Sequence, residues 1–207
     1  SIDNPLIFPA KNDFHSVSGG NFHGEGLAFM MDFLSIAISE VANVSDRRSF
    51  ALLTPELNNG LPSMLIPSNG INTGLMVAQY SGASLVSDNK TLAHPDSVDS
   101  IPTSANQEDH VSMGANGARH LLEIINNVTY VVAIEFLCAA QAIDFRENGK
   151  NRLGIGTAAA YPLIREKVHM YQNDHEMSPD IETLVKLINS ETIIHQVNQA
   201  LQTGENQ

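Results

Sequence analysis

The sequence predicts an all-α protein built on long helices, and three observations carry that prediction. Apolar residues recur at helical spacings of three and four between Leu27 and Val41. The apolar residues between Leu121 and Leu137 mark a long helix that is apolar on more than one face. No series of alternating apolar and polar residues, and no internal repeat, occurs anywhere along the 207 residues.

Taken in order, residues 1–22 read as irregular and turn-rich, with Asp3-Asn4-Pro5, Phe8-Pro9 and Ser18-Gly19-Gly20-Asn21. From about His23 a helix is expected, with Leu27, Met31, Leu34, Ile38 and Val41 on one stripe and an end or interruption at Asn43-Val44-Ser45. Leu61-Pro62 to Pro67-Ser68-Asn69-Gly70 is a punctuated connector. A second helix covers Thr73 to Asn89, within a stretch from Leu57 to Ser87 that carries no charge. A helix without a charged face is normally buried on all sides, which here implies burial against other subunits or further polypeptide. The third helix, from Asp109 or Ser112 to Phe145, is apolar on more than one face, and Glu135 within it needs a partner if buried. Arg146-Glu147-Asn148-Gly149 closes it. A shorter helix from Ala158 to Tyr171 tolerates Pro162 only near its first turn. Ser178-Pro179-Asp180 reads as N-cap, proline and acidic first turn for a helix over 181–188. The remainder is weakly amphipathic and frays from Thr203 to Gln207.

Composition narrows the function. The formal charge is −12, from 11 Lys and Arg against 23 Asp and Glu. With no basic cluster to offset it, a phosphate backbone would be repelled, so nucleic acid is not an expected partner. A single cysteine, Cys138, leaves no disulfide framework and no thiolate zinc site, and it suits a reducing, cytoplasmic setting. No uninterrupted apolar run reaches the ~18 residues of a bilayer span, so no membrane is expected either. The chain opens on Ser1-Ile2-Asp3 without Met and reads as part of a longer protein.

Several motifs do not carry the chemistry they suggest. Gly154-Ile155-Gly156-Thr157-Ala158-Ala159 matches a dinucleotide fingerprint but has no preceding strand, so a loop and helix start is the better reading. Ser87-Asp88-Asn89-Lys90 matches S-x-x-K without its companion elements. Eight histidines, including His23 in His23-Gly24-Glu25, form no H-E-x-x-H and no pair three or four apart, so no metal is expected.

Two segments remain. In Ser18-Gly19-Gly20-Asn21-Phe22-His23-Gly24-Glu25, glycines flank an aromatic ring and two polar groups, as in a tight presenting loop. A helix-entry loop would use the same residues. In the second segment, Asn106, Gln107, Glu108, Asp109 and His110 place two amides, two carboxylates and an imidazole together before an apolar helix. Acidic residues also suit a first helical turn, but a carboxylate held there among amides is an acid/base or anchoring group.

Together these segments resemble the aromatic amino acid ammonia-lyases, most of all the histidine-specific members. The likeness rests on Asp3-Asn4-Pro5-Leu6, the 18–25 segment, Leu92-Ala93-His94-Pro95, Ser97-Val98-Asp99-Ser100, residues 103–113 and Ser178-Pro179-Asp180-Ile181-Glu182. It runs in order over about residues 1–188. The resemblance implies the C-terminal part of the helical ammonia-lyase (fumarase/aspartase-like) fold, with residues 1–190 as helical core and active-site loops and 191–207 as a tail. It also implies release of ammonia from L-histidine to give urocanate, a cytoplasmic homotetramer, and active sites assembled from several subunits. The family's electrophile is a methylidene-imidazolone (4-methylideneimidazole-5-one) made from an Ala-Ser-Gly tripeptide that this sequence lacks. The 207 residues alone are therefore expected to be inactive. By the same resemblance, Phe22 lies beside the imidazolone and substrate ring. Glu108 acts as base or as partner of the imidazole or amine, and Asn106 and Gln107 hydrogen-bond around the substrate. Family members often carry Pro at Gly26 and a larger aromatic near Met64. A phenylalanine or tyrosine lyase, an aromatic 2,3-aminomutase and a non-catalytic helical assembly protein stay open as alternatives.

Overall fold

A computed structural model describes residues 2–67 and 70–204. Ser1, the Ser68-Asn69 part of the connector and the last three residues of the expected fraying tail lie outside the described residues. Six α-helices dominate: α1 Glu25–Leu53, α2 Met76–Leu92, α3 Gly114–Phe145, α4 Ile155–Lys167, α5 Ser178–Asn189 and α6 Thr192–Gly204. The all-α class holds. The irregular start, however, contains a small antiparallel hairpin, β1 Leu6–Ala10 and β2 Asp13–Val17, with Ala10 opposite Asp13. Its side chains are exposed except for a half-buried Leu6. No buried face imposes alternation on such a hairpin, so the pattern that announces strands is missing.

The chain divides into two compact units. The first comprises residues 1–38 and 90–124, the second residues 39–89 and 125–207. The second holds the apolar core: Leu65, Leu75, Leu137, Val168 and Leu184 are completely buried, with Ile134, Ile164 and Tyr171 around them. At its centre Gln141 is fully buried and fully engaged. Its amide nitrogen donates to the carbonyls of Leu65 (3.0 Å) and Tyr171 (2.8 Å), and its oxygen accepts from the Tyr171 N–H (3.1 Å) and Arg165 (3.3 Å). Burying an amide is tolerable only when its donors and acceptors are matched in this way. Glu135 finds the partner it needs: Arg48 holds it through two nitrogens, and the Ser45 hydroxyl donates to it at 2.7 Å.

Helix α1 departs from expectation twice. It runs unbroken through Asn43-Val44-Ser45, where Asn43 donates to Glu40 and Ser45 turns inward to Glu135. Its predicted apolar stripe is also not its buried side. Ala28, Asp32, Ser35, Ala42, Ser45, Asp46 and Ser49 are buried, whereas Leu27 (67% exposed), Phe33 (63%), Leu34 and Val41 face outward. Helix α2 is likewise covered on one side only, through Ala78, Gly82 and Asn89, with Val77 and Tyr80 exposed.

Other boundaries move for local reasons. Helix α3 starts at Gly114 because Met113 adopts a left-handed conformation (φ 55°). Helix α4 begins at Ile155 and ends at Lys167, so Pro162 sits in its interior rather than its first turn. Gly156 lets this helix approach α6, since a Cβ there would lie 3.3 Å from Val197 Cγ1. That contact gives a packing role to Gly156, the second glycine of the dinucleotide-like stretch. In α5 Ser178 is already helical, Met177 flanks it, and no side chain caps the start. Thr192–Gly204 form α6, packed on α4 and α5. By length and mean hydropathy α3 and the stretch Asn21–Leu53 could each cross a bilayer, although neither contains an uninterrupted apolar run of that length. Half of the apolar window of α3 is buried within this chain, and its Glu135 and Gln141 are held by the chain's own groups, as in a core helix.

Candidate functional site

Both sequence-selected segments fall in the first unit, and the structure brings them together. Asn21–His23 form a single 3-10 turn closed by Gly24 at φ 70°, a conformation that favours glycine. Gly24 then starts α1, its carbonyl accepting the N–H groups of Leu27 (2.9 Å) and Ala28 (3.1 Å). The turn leaves the Phe22 ring 42% exposed, stacked on His23 with centroids 4.1 Å apart. The His23 ring meets the edge of His110 at 5.1 Å, and His110 Nε2 lies 2.9 Å from Glu25 Oε2. Phe22, His23, His110 and Glu25 thus form a continuous ladder between the two loops. The Asn4 side chain accepts the Gly19 N–H at 3.1 Å, which ties the start of the hairpin to the same glycine-rich turn.

The second loop is unusual in its backbone. Ser104, Ala105 and Asn106 are three successive non-glycine residues in the left-handed region, at φ 52°, 55° and 69°. Each such residue costs about 1 kcal/mol or more and persists only when its surroundings over-determine it. Here a two-way bridge closes the turn: Thr103 N–H to Glu108 carbonyl at 3.0 Å and Glu108 N–H to Thr103 carbonyl at 3.3 Å. The Val111 N–H donates to Ser100 Oγ at 3.2 Å just beyond it.

Asn106 and Gln107 project as exposed residues and Glu108 is half-buried. Among the described residues, no hydrogen-bonding side-chain partner engages any of the three, so their polar groups are available to something outside the chain. Because α3 begins only at Gly114, Glu108 and Asp109 do not occupy a first helical turn. The reading of this segment as an acidic first helical turn is thereby corrected.

Beneath the loops lies a polar brace. Asp32 of α1 accepts the N–H groups of Asp96 (3.2 Å) and Ser97 (2.9 Å), and Asp96 Oδ2 lies 2.7 Å from His120 Nδ1. Burial opposes the charge on Asp32, but bonds from Ser97 and Asp96 and the nearby His120 outweigh it and hold its carboxyl below the ordinary carboxylate value. Gly117 leaves room for this cluster, since a Cβ there would lie 3.2 Å from Asp32 Oδ1.

Sequence reasoning missed Glu25 and the bridging part of His110 and His23. Glu25 and His110 are 85 positions apart, and no spacing rule reaches that far. Two open depressions in the second unit, of about 590 and 480 Å3, are lined by residues between Leu52 and Leu153 and between Val77 and Glu182. None of Phe22, Asn106, Gln107 and Glu108 lines them. Open side chains on the two joined loops, rather than an enclosed cavity, define the candidate site.

With this geometry in view, comparison with known proteins is informative. The aromatic amino acid lyase family matches residues 1–166. Histidine ammonia-lyase of Natranaerobius thermophilus is 53% identical over 201 residues, covering 97% of this chain and 39% of that protein. The crystal structure of histidine ammonia-lyase from Trypanosoma cruzi superposes with a TM-score of 0.87 at 40% identity, over 96% of this chain and 38% of that one. Tyrosine aminomutase from Streptomyces globisporus superposes with a TM-score of 0.89 at 32% identity, over 96% and 37%. The chain therefore spans about two-fifths of the length of these relatives.

Proposed function

The chain belongs to the aromatic amino acid lyase family, and from that premise we propose that it forms part of a cytoplasmic histidine ammonia-lyase, its residues 1–190 being the C-terminal portion and 191–207 a tail. The proposed reaction is non-oxidative elimination of ammonia from L-histidine to give urocanate. One observation carries the reading: the ladder from Phe22 to Glu25 joins an exposed aromatic ring to the loop that bears two amides and a half-buried carboxylate, all three without side-chain partners among the described residues.

In this reading the chain walls the site and does not build its electrophile. A methylidene-imidazolone needs Ala-Ser-Gly, which the sequence lacks, so the group belongs to polypeptide outside these residues. When bound, it supplies the electron withdrawal that makes the amine a leaving group. Toward it the chain presents an apolar ring, Phe22, which suits the flat face of such a group and of an imidazole. Asn106 and Gln107 each offer an amide donor and acceptor to the polar atoms of the substrate. Glu108 takes the β-proton or holds the imidazole or amine, and its unpartnered carboxylate suits either task. Fixing these groups on one loop pair reduces the reorganisation needed to reach a reactive geometry. Assembly as a homotetramer is supported by the outward apolar face of α1 and by the uncovered hairpin.

Mixing the complete enzyme with L-histidine should give the near-ultraviolet absorbance of urocanate. Formation of cinnamate or coumarate from phenylalanine or tyrosine instead would transfer the assignment to those lyases. A β-amino acid product would make it an aminomutase, and no turnover of any aromatic amino acid would leave an assembly protein.

A further inference from the structure

We infer that His110 and Glu25 form a positioning pair that docks the loop of Asn106–Glu108 onto the loop of Phe22. The inference rests on the reading that these two loops wall one site.

Three observations lead to it. First, the bonds that shape the strained turn are local: the Thr103–Glu108 bridge and the Ser100–Val111 bond all lie within residues 100–111. They fix the form of the loop, while the bonds from Asp32 of α1 reach only Asp96 and Ser97, several residues before the strained turn. Second, His110 reaches the other loop through both faces of its chemistry, its ring against His23 at 5.1 Å and its Nε2 at 2.9 Å from Glu25. Third, each partner is coupled to a proposed site group. Glu25 is the first residue of the 29-residue helix α1, a rigid anchor. His110 stands two residues beyond Glu108, so a shift of one displaces the other. His23 is held between Phe22 and His110, which makes the same pair responsible for the orientation of the exposed ring. A small misplacement of reacting groups is costly in rate even where the fold survives.

The test uses the complete enzyme with His110→Ala, Glu25→Ala, the double variant and the conservative His110→Gln, whose amide N–H can still reach Glu25. Hydrogen exchange followed by mass spectrometry should quicken in peptides covering 18–26 and 100–112 of His110→Ala and stay unchanged in α4 to α6. Turnover of histidine should fall about ten-fold or more in kcat with KM altered by less than about three-fold, as loss of positioning rather than of binding predicts. The double variant should be no worse than about two-fold below His110→Ala, because both substitutions remove one interaction. His110→Gln should recover most of the loss. Unchanged exchange in both loops, or fully additive losses, would overturn the pairing. If the unsubstituted enzyme turned over no aromatic amino acid, the functional reading would fail on its own, and the exchange comparison would still decide whether the tether exists. Should His110→Ala not fold, Glu25→Ala and His110→Gln carry the same comparison.

Discussion

Within each of the two units the balance between apolar burial and directional bonds is different. The second buries Leu65, Leu75, Leu137, Val168 and Leu184 completely around Gln141, whose amide is saturated with hydrogen bonds. In the first unit the buried part of α1 is Ala28, Asp32 and Ser35, and the unit depends on Asp32 with Asp96 and Ser97, His120 with Asp96, and His110 with Glu25. The candidate site and the run of left-handed residues both lie in this polar unit. Apolar burial is non-directional and gives bulk stability. Directional bonds aim particular backbones and side chains, and aiming is what a strained, presenting loop requires.

That contrast can be broken or sharpened by experiment on the complete protein. The largest expected effect is Leu137→Ala, about 2–5 kcal/mol of lost stability by denaturant unfolding, because it opens a cavity in the apolar core. A loss below ~1 kcal/mol would show that this core is not where the stability resides. Next is Asp32→Ala, expected to cost about 1–3 kcal/mol by stranding the two N–H groups it accepts. The same residue sets an acid limit. Its folded pKa lies below its ordinary value, so its contribution is complete above pH ~4 and fades as pH falls through the folded value. The thermal midpoint should drop below pH ~4, and Asp32→Asn should flatten that drop; an unchanged profile would assign acid sensitivity elsewhere. Glu108→Gln should lower turnover about ten-fold or more, near 1.4 kcal/mol, with the unfolding midpoint unmoved. Equal kinetics would reduce Glu108 to a loop residue. The smallest effect is a gain: Gly26→Ala, in the first turn of α1 with open space around the added Cβ, should stabilise by about 0.4–1 kcal/mol.

Much of this was readable in the residues, within limits that have physical causes. The end of α3 at Phe145 and the need of Glu135 for a partner follow from local pattern and from the cost of burying charge. The grouping of Phe22 with Asn106, Gln107 and Glu108 rests on the family resemblance; the structure joins their two loops through the His23–His110 contact. The continuity of α1 was not readable, because Ser45 is stabilised by a residue 90 positions away. Nor was the left-handed turn over Ser104–Asn106, which contains no glycine to announce it. The exposed hairpin lacks the alternation that a half-buried strand displays. The buried side of α1 departs furthest from the pattern, since an apolar stripe reports where hydrophobic contact is wanted and not which polypeptide supplies it.

Helix α1 wears its oil outside. With Leu27, Phe33, Leu34 and Val41 turned to water, these 207 residues handled by themselves should self-associate before they display any other property. Clumping in that sample would then report on absent neighbours, and a detergent or the complementary polypeptide would be the remedy rather than a change in the chain itself.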